Sequence, residues 1–119
     1  MQNQIMTSFK LQKTLHYKMQ QRIISDGYGM RGKSKWLLEA IEAFLALEDY
    51  PDLVDIANDM EQLTDTVSLR LSIPLATLID QAVIKVRRQY PAMEGVKSNL
   101  IRASIMQRLI RGTTSVTEV

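Results

Sequence analysis

The sequence predicts a mainly α-helical protein with one two-stranded antiparallel β-ribbon, built from two copies of a strand–helix–loop–helix unit that fold together as an intramolecular pseudo-dimer. Three observations carry that prediction. The hexapeptide TSFKLQ at 7–12 recurs as VSLRLS at 67–72, a spacing of 60 residues. The decapeptide GKSKWLLEAI at 32–41 recurs as VKSNLIRASI at 96–105, a spacing of 64. Chain-breaking stretches, DGYGMRG at 26–32 and YPAMEG at 90–95, precede or overlap the start of the second match in each half. The difference between the spacings amounts to about one helical turn. The units run over 7–47 and 66–111, joined by an acidic connector at 48–65 and followed by a tail, 112–119, that is expected to be mobile.

Each hexamer alternates with a period of two, the mark of a half-buried strand. Phe9 and Leu11 share one face in the first copy, and Ser8, Lys10 and Gln12 the other. In the second, Val67, Leu69, Leu71 and Ile73 face one way and Ser68, Arg70 and Ser72 the opposite way. Helices follow directly. Pro74 suits a first helical turn, where its missing N–H is not needed, and Thr14 is the expected cap of the matching helix. Leu75, Leu78, Ile79, Ala82, Val83 and Val86 form a helical stripe, with Leu15, Met19 and Ile23 as its shorter counterpart. The second helix of each unit is expected to start at a capping serine, Ser34 or Ser98. Its apolar face is Leu37, Ala40, Ile41, Phe44 and Leu45 in one copy, and Ile101, Ile105 and Leu109 in the other. The connector holds a further stripe, Leu53, Ile56, Ala57, Met60 and Leu63, beginning just after Pro51, and predicts a short amphipathic helix.

Charge is segregated along the chain. Residues 48–65 hold seven of the 13 acidic residues and none of the 15 Lys and Arg, leaving the remainder at +9. A basic surface of that density suits a polyanion, because neutralising phosphates releases condensed counterions. No apolar run approaches the roughly 20 residues that a membrane-spanning helix needs, and the first residues lack a charged-then-apolar leader pattern. Without cysteine there is neither a disulfide nor a thiolate metal site, and a reducing, cytoplasmic setting is expected. His16, the only histidine, has no second His or Cys beside which to hold a metal, so a packed or surface role is expected. Trp36 reads as core, and the seven Met residues as flexible core filling. GYGMRGKS lacks the spacing of a phosphate-binding loop and follows a helix rather than a strand. Neither a cofactor nor an enzymatic activity is expected, since no pair of titratable groups stands at catalytic spacing.

A lone strand leaves its backbone groups unpaired, so the economical arrangement pairs the two copies antiparallel. Strand–helix–helix units that pair in this way resemble the ribbon-helix-helix DNA-binding proteins. Carrying both copies on one chain is similar to the TraY-type accessory proteins of conjugative plasmids, and the units themselves resemble Arc- and MetJ-like repressors. The resemblance implies double-stranded DNA as the partner, read by the ribbon in the major groove, in bacterial nucleoid or plasmid DNA. Arg70 and Lys10 would donate to guanine O6 and N7, Gln12 would engage adenine, and Ser8, Ser68 and Ser72 would adapt to either. With Lys10 opposite Arg70, Ser8 falls near Ser72 and Gln12 near Ser68, so the target is an imperfect palindrome. Lys33, Ser34, Lys35, Lys97 and Ser98, at the starts of the second helices, are the expected phosphate anchors, with Arg31 assisting. Lys85, Arg87 and Arg88 read as a solvated helix end. The function expected is transcriptional repression or an accessory role in conjugative transfer, with possible self-association of chains on adjacent sites. The alternative is an antitoxin or adaptor that docks a protein partner through the connector helix, Leu53 to Leu63.

Overall fold

The two alternating segments do form strands, and they pair with each other antiparallel. A computed structural model describes residues 4–29 and 31–111; the tail expected to be mobile lies outside them. In chain order the elements are β1 (Gln4–Leu11), α1 (Lys13–Ser25), α2 (Lys33–Leu45), α3 (Tyr50–Ala57), β2 (Asp65–Ser72), α4 (Ile73–Gln89) and α5 (Val96–Arg111). Among the described residues, five helices and one two-stranded sheet make the protein mainly helical, and no helix is long and apolar enough to cross a membrane.

Both strands are longer than the matched hexamers. They pair Gln4 with Ser72 at one end and Leu11 with Asp65 at the other. Phe9, Leu11, Val67, Leu69 and Leu71 point inward and are buried. The core beneath them comes mainly from α2 and α5. Trp36, Leu37, Ile41 and Phe44 meet Leu100, Ile101 and Ile105, all at most 1% exposed. Packing is crosswise: α2 lies against β2, and α5 against β1. Helix α4 touches both strands.

Chain breakers act through backbone geometry. Helix α1 ends with Tyr28 N–H on Ile23 O and Gly27 N–H on Ile24 O, the paired bonds of a Schellman end. That end needs a left-handed residue, and Gly27 supplies φ = +86°. At Gly32 a Cβ would lie 2.4 Å from the Tyr28 carbonyl oxygen, so only glycine fits. The turn places Tyr28 over α2 and α5. Its hydroxyl accepts from Arg108 at 3.0 Å, and the Arg108 guanidinium lies 4.6 Å from the Trp36 ring centroid while donating to the Trp36 carbonyl. Trp36 itself is fully buried and donates through Nε1 to Asp26.

The connector contains the helix foreseen, with a different end and face. Helix α3 stops at Ala57, so Met60 and Leu63 lie beyond it. It buries Tyr50, Pro51, Val54 and Ala57 and exposes Ile56. Its apolar side, the surface an adaptor would offer to a partner, is packed on α4 and α5. Tyr50 sits against the Phe44 ring and under the Lys85 ammonium, 4.9 Å away, and the Asn99 side chain donates to Asn58 at 2.8 Å. The Tyr90 hydroxyl donates to Asp52, and that carboxylate pushes the phenol up to about 12. Helix α5 is also more enclosed than its stripe suggested: every residue from Asn99 to Ile105 is buried, because helices flank it on several sides. In α4, Leu78 is half exposed and Ala76 takes the inward place.

Candidate nucleic-acid interface

The outer face of the ribbon carries Gln4, Met6, Ser8 and Lys10 from β1 and Thr66, Ser68 and Arg70 from β2, with no acidic residue among them. Side chains alternate across a pleated strand, so burial of Phe9 and Leu69 forces Lys10 and Arg70 outward. Ser8 stands opposite Ser68 at the centre; Arg70 faces Met6 on one side, and Lys10 faces Thr66 on the other. The two cations are four residues apart along the ribbon, about 13 Å at the usual strand rise.

This register differs from the pairing of Lys10 with Arg70 expected from the hexamers. The ladder is shifted by four residues, which brings Ser8 against Ser68 instead of Ser72. Period-two alternation is unchanged by any even shift, so it could not choose between the two registers. The choice falls to the chain on either side. Residues 4–6 continue the ladder, and each strand runs into its helix after Leu11 and Ser72.

Four of the six expected base-contacting residues, Ser8, Lys10, Ser68 and Arg70, therefore share the open face. Gln12 and Ser72 have different roles. Gln12, not Thr14, is the N-cap residue of α1, and its side-chain amide donates to the Glu61 carbonyl at 2.7 Å. Ser72 is the N-cap of α4 and accepts from Leu75 N–H at 3.3 Å. Both positions fall where strand becomes helix, and a side chain bonded to a backbone group of the fold, at Glu61 for Gln12 and at Leu75 for Ser72, is withdrawn from the open face. Met6, 60% exposed, and Thr66 complete the face in their stead. Alternation through QIMTSFKL would have revealed Met6, had an exposed methionine been allowed on the polar side.

The phosphate candidates cluster at two helix starts. Helix α2 has Gly32 as its N-cap, so Lys33, Ser34 and Lys35 fill the first turn; Ser34 is not the cap. Helix α5 opens with Val96, Lys97 and Ser98, and its first helical bond runs from Asn99 N–H to Gly95 O. The amides of these first turns have no acceptor within their helix, and the positive end of the dipole lies there. Arg102 ties the second of these helix starts to the ribbon. It is 6% exposed and donates to the Lys10 carbonyl at 2.8 Å and to the Asn99 side chain. Desolvation lowers its pKa. Lys97 precedes Arg102 by five residues, about 7.5 Å of helix, so this candidate sits beside the Lys10 end of the ribbon. Nothing in the sequence distinguished Arg102 from a surface cation; its match in the first half is Leu38. The helix-end cations expected to be solvated, Lys85, Arg87 and Arg88, are all exposed, and Lys85 also lies over the Tyr50 ring.

The same end of the ribbon is clamped by His16, whose Nδ1 lies 2.8 Å from Asp65 Oδ2. This hydrogen bond, helped by Thr64 and by the charges of His16 and Lys13, holds the Asp65 carboxyl below its ordinary range. A depressed carboxyl pKa contributes stability that is present above the unfolded-state value and lost as the pH falls through the folded one. Urea midpoints should therefore show wild type more stable than Asp65→Asn near neutrality, with the gap closing as the pH drops below about 4. A gap independent of pH would remove the carboxylate from the clamp.

No protein-family model, curated protein or solved structure matches the chain.

Proposed function

We propose that the protein binds double-stranded DNA sequence-specifically, laying the outer face of its ribbon in the major groove in the manner of ribbon-helix-helix proteins. The observation that carries this reading is the open face itself: Lys10 and Arg70 stand outward on a paired ribbon whose outer face bears hydroxyls between them and no carboxylate. A two-stranded ribbon fits the major groove, where guanine presents two acceptors to a cationic donor. Two further features favour a pseudo-dimer made by one chain. The ladder is centred on Ser8 and Ser68, which occupy the same place in the two hexamers, and the crosswise packing of α2 and α5 treats the halves alike.

Arg70 and Lys10 are then matching but unlike readers, and each meets one half of an imperfect palindrome. Their separation of about 13 Å corresponds to about four base-pair steps. Lys33, Ser34, Lys35, Lys97 and Ser98 hold the flanking phosphates. Bound over a promoter, such a protein represses by occlusion; at a transfer origin it organises DNA for conjugation. The contacts are the same in both.

Selection from a random duplex library followed by affinity measurements at increasing salt tests the proposal. The expected product is an enriched imperfect palindrome, bound with an affinity that falls steeply with ionic strength. Lys33→Ala with Lys97→Ala should reduce the slope of log K against log salt by about 2, with little change in sequence preference. Absent binding, or binding indifferent to salt, would overturn it.

A further inference from the structure

Away from the ribbon, two exposed surfaces remain whose shapes and charges are opposite. The first is an open groove of about 870 Å³ between α1 and the last turns of α5. Leu15, Met106 and Leu109 form its apolar floor, and Ile24 and Ile110, 62% and 72% exposed, stand at its sides. Lys18 and Arg22 supply its charge, and no acidic residue lines it. Arg22 donates to the Arg108 and Leu109 carbonyls, which fixes α1 against the end of α5. The second surface is the outward side of α3. Asp52, Asp55 and Ile56 lie opposite the buried Tyr50, Val54 and Ala57, and Asp59 follows in the turn after the helix, placing three carboxylates around one 60%-exposed isoleucine.

These surfaces cannot meet within one chain. The inward side of α3 is fastened to the start of α5 through Asn58 and Asn99, whereas the groove begins at Met106. That separation is seven residues, about 10 Å of helix, and the acidic side faces outward. We propose that the α1–α5 groove of one copy receives the acidic face of α3 from a second copy, with Ile56 set between Ile24 and Ile110 and the carboxylates beside Lys18 and Arg22. Charge selects this pairing. Groove against groove opposes Lys18 and Arg22 to their own kind, and α3 against α3 opposes carboxylates; only the mixed contact is complementary. A contact between two different patches is heterologous and leaves one groove and one α3 face free at the ends, so copies add head to tail.

Sedimentation of the full chain without DNA, over a range of concentration and salt, tests this apart from DNA binding. The interface is small and association weak, but wild type should grow beyond dimers with concentration and dissociate with salt. Ile56→Glu and Ile110→Glu, both at exposed positions, should each weaken self-association at least about tenfold, and the two altered surfaces repel each other. The decisive arm mixes them. Each variant keeps one sound surface, so the mixture should form a one-to-one dimer and nothing larger. Wild type that stays monomeric throughout, or a mixture that fails to pair, would overturn the inference. Both variants should bind a duplex carrying one site as wild type does, so failure of the DNA reading would be seen separately.

Discussion

Replacing Lys10 and Arg70 together with alanine is expected to abolish sequence selectivity while leaving the fold in place. Both side chains are exposed, and the hydrogen bond that involves Lys10 in the fold uses its backbone carbonyl. Surface truncations of this kind change stability by no more than about 0.5 kcal/mol. Each good base contact discriminates by about 1–3 kcal/mol. Residues about 13 Å apart along a ribbon with no shared partner act additively. Preference for the selected site over random duplex should fall by about 10²- to 10⁴-fold in the double variant, toward the residual affinity expected of the proposed phosphate contacts. Arg70→Ala should cost more than Lys10→Ala, because a guanidinium spans both guanine acceptors and an ammonium does not. Competition titrations against both duplexes, with thermal unfolding as the control for fold, measure these effects. Undiminished selectivity in the double variant would remove the ribbon from the reading surface.

How far the sequence disclosed this surface depends on which interactions are periodic. Burial of Phe9, Leu11, Val67, Leu69 and Leu71 was legible because a strand pointing one face inward must alternate. The partner of each residue was not, since alternation survives a shift of four and the extension through Gln4 and Met6 decides the register. Caps were misplaced for a related reason. Thr14, Ser34 and Ser98 have the favoured chemistry, but the helices begin one or two residues earlier, at Lys13, Lys33 and Val96. Glycine, or the end of a strand, supplies the entry there. Long-range pairings left no local trace. The bond from Arg102 to Lys10 spans 92 residues, and that from His16 to Asp65 spans 49. Helix α3 turned a different face inward because tertiary contacts with Phe44 and Lys85 selected Tyr50 and Val54 over Ile56.

Arg102 should prove the most sensitive position outside the apolar core. Its guanidinium is enclosed and supplies donors to the Lys10 carbonyl and the Asn99 side chain, two groups held on different elements. Arg102→Met keeps much of the stem volume and removes both donors. Each buried acceptor left without a partner costs about 1–3 kcal/mol, so the variant should lose about 2–4 kcal/mol, relieved in part because a desolvated cation is no longer enclosed. Arg102→Lys retains the charge, but an ammonium lacks the fork that reaches both acceptors and should recover less than half of the loss. The loss should also be local. Amides of β1 near Lys10 and of β2 near Thr66 should exchange faster than those in the α2–α5 core, because the donor that fixes this end of the ribbon is gone. On the proposed DNA reading, selectivity should then fall at the half-site assigned to Lys10 more than at the one assigned to Arg70. Urea unfolding and hydrogen exchange of Arg102→Met decide the matter. A loss under about 1 kcal/mol with uniform protection would mean that the ribbon holds its register without this arginine.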